Sequence, residues 1–132
     1  MPGLRQGFAR GTVGAMAMSG IRVVSMETGL LERPPPQQIF REKVPAEQAR
    51  VVEELAHWFY GGVGGVMFAL LPKFLKRAPA AGPAYGVALW LGYELVLAPA
   101  LDLSHHKRNG IGGQLAVLAD HAVYGALLSS DR

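Results

Sequence analysis

A chain of 132 residues is long enough for one domain; half of it is apolar and 17% is charged, below the roughly 25% of an average soluble protein. It has no cysteine, which excludes disulfides, thiolate catalysis and cysteine-based zinc sites. The formal charge of +3 comes from dispersed lysines and arginines; with no basic tract interleaved with aromatics, nucleic acid is not an expected partner.

Four apolar runs follow in chain order. The first, residues 7–31, reads GFARGTVGAMAMSGIRVVSMETGLL and continues past any plausible cleavage point, so it is read as a retained span rather than a leader. A polar connection over 32–54 follows. Pro34, Pro35 and Pro36 are expected to end the first helix, because proline lacks the donor and clashes with the preceding turn. QQIFREKV has room for one or two helical turns at the membrane interface. Pro45 suits the first turn of the next helix, which carries Glu47, Arg50, Glu53 and Glu54 before the second run, 55–71, LAHWFYGGVGGVMFALL. PKFLKRAPAAGP then connects to the third run, 82–101, and DLSHHKRNGIGG to the fourth, 111–130.

A soluble four-helix bundle is the competing reading of these runs, since the mean hydropathy of +0.20 is modest. Three features favour membrane spans, which need about 20 mostly apolar residues. The runs are apolar all round rather than along one stripe. Glycine is dense within them, although a soluble helix loses about 1 kcal/mol per glycine relative to alanine. The charges gather between the runs. The expectation is an all-α integral membrane bundle of four transmembrane helices, occupying 1–132 as one domain.

The chain also repeats itself. His57-Trp-Phe-Tyr60-Gly61 returns as His121-Ala-Val-Tyr124-Gly125, an offset of 64, while an offset of 72 places Gly14 on Gly86 and Gly20 on Gly92. Two parallel helix-pair repeats are expected, 7–71 and 82–130, related by an axis along the membrane normal.

Several residues carry polar chemistry. His57, Tyr60, Gly61 and Gly64 share one helical face, as do His121, Tyr124 and Gly125. Glycines there permit close backbone approach, as do the pairs Gly7/Gly11, Gly61/Gly65 and Gly82/Gly86. The histidines and tyrosines read first as polar contacts between helices, worth about 0.6 kcal/mol each. The alternative makes His57 and His121 ligands of haem b, or carriers of protons. Arg22, Glu94, Asp120 and Glu27 fall inside spans, where an unpaired charge costs about 2.5–3.5 kcal/mol. Arg22 and Glu94 are expected to form an intramembrane ion pair, with Glu27 a second acceptor. A proton or substrate path is the competing use of these charges. His105 and His106 read as solvated loop residues, and no metal-ligand set is spaced for a site. EELAH lacks the second histidine of a zincin, and no catalytic triad or phosphate loop occurs, so no enzyme activity is expected.

Arg22, GLLERPPPQQI, HWFYGGVGG, YGVALWLGYE with PALDLS, and HAVYG together resemble a family of small, uncharacterised, four-span bacterial inner-membrane proteins with a domain-of-unknown-function label. LDLSHHKRNG departs from the glycine and prolines expected after the third span. The resemblance implies a fold and an inner-membrane location and brings no activity. The function expected is a structural or accessory subunit of a membrane assembly or homo-oligomer. Its partners would be lipid and other membrane subunits or itself. A haem-binding, proton-conducting or transporting protein is the alternative. Lysines and arginines are equally divided between the two sides; the compact PKFLKR and early Arg5 and Arg10 favour both termini in the cytoplasm.

Overall fold

A computed structural model describes residues 2–31, 45–100 and 110–130, and these are all-helical apart from turns. The triple proline, QQIFREKV, and His105 with His106 lie outside the described residues. The helices are α1 (Pro2–Glu27), α2 (Ala46–Leu70), the single turn α3 (Lys73–Lys76), α4 (Ala81–Gly92) and α5 (Ile111–Leu128).

α1 starts at Pro2, where a missing N–H costs nothing. It stops at Glu27, well before the prolines expected to end it. The cause is Gly29 at φ 77°, a left-handed residue that turns the chain and lets Leu31 N–H bond back to the Ser25 carbonyl at 3.1 Å. α2 begins one residue after Pro45, whose carbonyl accepts from Gln48 and Ala49 at 2.8 and 3.0 Å. α4 does not run straight through the third apolar stretch. It widens into five π-wound residues, Tyr93–Leu97, before a last turn, Ala98–Ala100. Pro99 lacks an N–H and crowds the carbonyl of residue 95, and local π winding is one way for a helix to absorb that conflict.

The helices run up, down, up and down. α1 packs on α2 and α5, and α4 packs on α5. The Phe68 and Tyr85 rings, with centroids 5.1 Å apart, join α2 to α4. Two seams are built on backbone contact. In the α1–α2 seam, a Cβ on Gly7 would lie 2.6 Å from the Gly65 carbonyl oxygen, and one on Gly11 would strike the Gly61 carbonyl. In the α4–α5 seam, one on Gly82 would strike the Gly125 carbonyl and one on Gly86 the His121 carbonyl. Gly125 thus faces Gly82 and Gly86 as Gly61 faces Gly11 and Ala15. That register differs by one residue from the one that sets Gly14 on Gly86. A Cβ added at Gly20 or Gly92 would meet nothing within 4 Å.

Large side chains are distributed outward. Among the described residues, only Ala15, Met18, Ala49, Phe68, Tyr124 and Leu128 are buried apolar residues, whereas twenty-two large hydrophobics are exposed, among them Val63, Leu95 and Val123. Among the described helices, Ile111–Leu128 alone is long and apolar enough to cross a membrane by length and composition. α1 and α2 carry charges near their ends, and the π winding divides the third run.

Candidate functional site

The polar side chains of the four long helices meet in one layer, below the glycine seams and toward the C-terminal end of α1. Its hub is Ser19 on α1. The hydroxyl donates to Glu54 Oε2 at 2.5 Å and accepts from Trp58 Nε1–H at 3.1 Å. His57 Nδ1 lies 3.3 Å from the same oxygen. A hydroxyl has a single proton. With that proton directed to Glu54, His57 Nδ1 is the donor to Ser19, and its Nε2 is the acceptor. The antiparallel register of α1 and α2 produces this cluster: Gly11 against Gly61 sets Ser19 opposite Glu54 and His57, about two turns further along.

Arg22 stands one turn beyond Ser19 and is half-buried. Its charge is felt by His57, Tyr93, Asp120 and His121, so it has neighbours on all three other long segments. Glu94 acts on Tyr93 and His121 and shares the layer. Tyr93 and Glu94 are the first two residues of the π winding. Glu27 ends α1, is exposed, and lies about 140° round the helix from Arg22. Asp120 is the most enclosed carboxylate of the layer: the residue is 6% exposed, and Oδ1 has no hydrogen-bond partner among the described residues.

The two histidines are held differently. His57 bonds across helices, to Ser19. His121 Nδ1 is 2.9 Å from the carbonyl of Val117 in its own helix, one turn back, rather than from a group on a facing helix.

Above the layer, two tyrosines tie the seams together. Tyr124 donates to the Gly61 carbonyl at 2.5 Å, and Tyr85 donates to the Gly64 carbonyl at 2.7 Å. Both acceptors lie in the glycine run of α2, where absent side chains leave the carbonyls reachable. The Tyr124 ring also lies over Gly14, in the space that a Cβ there would take. Tyr60 is 49% exposed. Sequence reasoning singled out His57, Tyr124 and the glycines but missed Ser19, Glu54, Trp58 and Tyr85 as contacts. Tyr85-Gly86 had a visible signal, being the third Tyr-Gly pair in the chain.

No group of three or more potential metal ligands gathers among the described residues. As possible haem ligands, His57 and His121 both have Nδ1 engaged, which leaves Nε2 as the nitrogen for iron. The backbone of His121 itself packs on Gly86 of α4.

These features define an all-helical bundle with glycine seams, a polar layer and an apolar exterior. The chain belongs to a family of unknown function, DUF6789, whose match covers residues 1–131. No curated protein and no solved structure matches it.

Proposed function

We propose that this chain is a four-span integral membrane protein serving as a structural or accessory subunit, either within a larger membrane assembly or as a homo-oligomer. The observation that supports the reading most is the reversed distribution of side chains. A water-soluble bundle buries its large apolar residues and exposes polar ones. Here glycines, Ser25 and Asp120 lie inside with a few apolar side chains, while many of the valines, leucines and phenylalanines face out. Exposed apolar side chains in this number fit lipid or protein partners. Twenty-six residues of α1 and 25 of α2 reach about 38 Å, enough for a hydrocarbon core of about 30 Å.

On this reading the seams are two copies of one parallel helix-pair repeat, and the polar layer neutralises charges that lipid would not tolerate. Arg22 has Glu94 and Asp120 as candidate counter-ions, and the proposed pairing with Glu94 belongs to this reading. The termini lie in the cytoplasm, on the side of Arg5, Arg10, Lys73, Lys76 and Arg77. The bacterial inner membrane is the proposed location.

Membrane fractions tested by alkaline carbonate separate the readings. An integral protein stays in the pellet and is released by detergent; release by carbonate would overturn the proposal. Cross-linking followed by mild-detergent purification then gives a homo-oligomer or a constant partner set if the accessory role is correct. A monomer with no partner would remove that role.

A second reading, proton conduction through the layer, draws on the enclosed, unpartnered Oδ1 of Asp120, which lies within reach of the Arg22 charge. Proton flux into liposomes, abolished by Asp120→Asn, would replace the structural role with this one.

A further inference from the structure

The two ends of the bundle differ in charge. Residues 2–20, 61–92 and 122–130 contain Arg5, Arg10, Lys73, Lys76 and Arg77 and no aspartate or glutamate. Every described carboxylate belongs to the other half. At this basic end lies a hollow of about 260 Å³ between α1, α2, α3 and α5, lined in part by Gln6, Arg10, Lys76 and Ser129. Gly7 and Gly65, which meet backbone to backbone, form part of its wall. Lys76 is held there: its ammonium donates to the Ala69 carbonyl at 2.6 Å, which leaves two of its three protons for other acceptors.

A second hollow, of about 220 Å³, adjoins the first at Arg10. Ala9, Val13 and Leu127 make it an apolar groove on the outer face of α1 and α5. Arg10 therefore stands where a pocket with cations and hydrogen-bond donors meets an apolar channel. α3 supports the same picture. Phe74 is 72% exposed and Leu75 is exposed, between Lys73, Lys76 and Arg77. An apolar tip flanked by cations suits the boundary between headgroups and acyl chains.

Resting on the membrane reading above, we propose that this end is a binding site for an anionic phospholipid. Its phosphate lies between Arg10 and Lys76, with Gln6 as a further partner, and one acyl chain follows the groove of Ala9, Val13 and Leu127. The recognised chemistry is a phosphodiester whose negative charge no headgroup cation cancels. The adjoining groove favours a lipid over a free phosphate, which would use only the first hollow.

Native mass spectrometry of the detergent-purified full chain tests the site. The probes are phosphatidylglycerol, phosphatidylcholine, glycerophosphoglycerol and inorganic phosphate. The expected result is retention of phosphatidylglycerol over phosphatidylcholine, and little retention of either water-soluble probe. Arg10→Gln and Lys76→Gln should each reduce the preference about fivefold, and together roughly thirtyfold. Arg5→Gln and Arg77→Gln, at the same end but outside the hollow, should change it little. Val13→Trp keeps both cations and fills the groove; it should lower phosphatidylglycerol retention while circular dichroism shows an unchanged helix content. The proposal is overturned if the double variant keeps the preference, if Arg5→Gln and Arg77→Gln remove it equally, or if the water-soluble probes bind as well as the lipid. These outcomes are distinct from failure of the membrane reading, in which the chain would stay soluble and monodisperse without detergent.

Discussion

Tyr60 and Tyr124 hold the same place in two His-x-x-Tyr-Gly segments, yet one is 49% exposed and the other 2%. The difference comes from the residue each would meet. Tyr124 enters the α1–α5 contact because Gly14 leaves room for its ring, and its hydroxyl then reaches the Gly61 carbonyl. Matching the seams through Gly11 with Gly82 sets Tyr85 in the place of Gly14. With a second aromatic ring there, Tyr60 turns outward, and Tyr85 supplies the bond to α2 instead. The histidines diverge in the same way: His57 finds Ser19 on the facing helix, and His121 bonds to its own. A short motif therefore sets which atoms are available, and the opposing helix sets which of them are used.

Forcing the seams apart is the largest perturbation of this comparison. Gly11→Val drives a side chain into the Gly61 backbone, which cannot swing aside, and should cost about 3 kcal/mol or more. Gly86→Val should cost a similar amount through the His121 carbonyl. Both are read by thermal or denaturant unfolding in detergent; a loss confined to Gly11→Val would show that the second seam is not equivalent to the first.

Removing the two tyrosines comes next. Tyr124→Ala should cost about 3–5 kcal/mol, as for other buried aromatic truncations. Tyr60→Ala should stay within about 0.5 kcal/mol when measured in the same way. Equal losses would contradict the asymmetry. Tyr124→Phe isolates the hydroxyl and should cost about 0.6–1.5 kcal/mol.

The histidines should give smaller effects. His57→Ala removes one partner of the Ser19 cluster and should cost about 1 kcal/mol; His121→Ala loses a bond within its own helix and should cost less. Neither should change the visible spectrum. A Soret band in the purified protein that either substitution abolished would assign the pair to haem. The one expected effect of opposite sign is at Gly20, where an added Cβ would meet nothing within 4 Å. Gly20→Ala should be neutral or stabilising by up to about 1 kcal/mol.

Much of the helical plan was legible because it depends on local chemistry. Pro45 and the apolar run after it mark α2, and Gly110 precedes α5. The end of α1 was misplaced because three prolines are a louder signal than one glycine, yet Gly29 turns the chain first. The π winding at Tyr93–Leu97 had no local signature beyond Pro99. His57 stood out because its motif recurs. Ser19, Trp58 and Glu54 did not, since only the antiparallel register of α1 and α2 brings residue 19 to residues 54, 57 and 58. That register is set by backbone contact between glycines, and spacing within a single helix does not encode it.

The central claim is that the outward-facing valines and leucines lie against lipid. The chain has no cysteine, so single cysteines at Val63, Leu95 and Val123 can each carry a nitroxide in reconstituted bilayers. Power-saturation electron paramagnetic resonance then compares collisions with oxygen, which concentrates in hydrocarbon, and with a polar nickel chelate, which stays in water. The account predicts high oxygen and low nickel accessibility at all three positions. High nickel accessibility at these positions, matching a label in free solution, would contradict it.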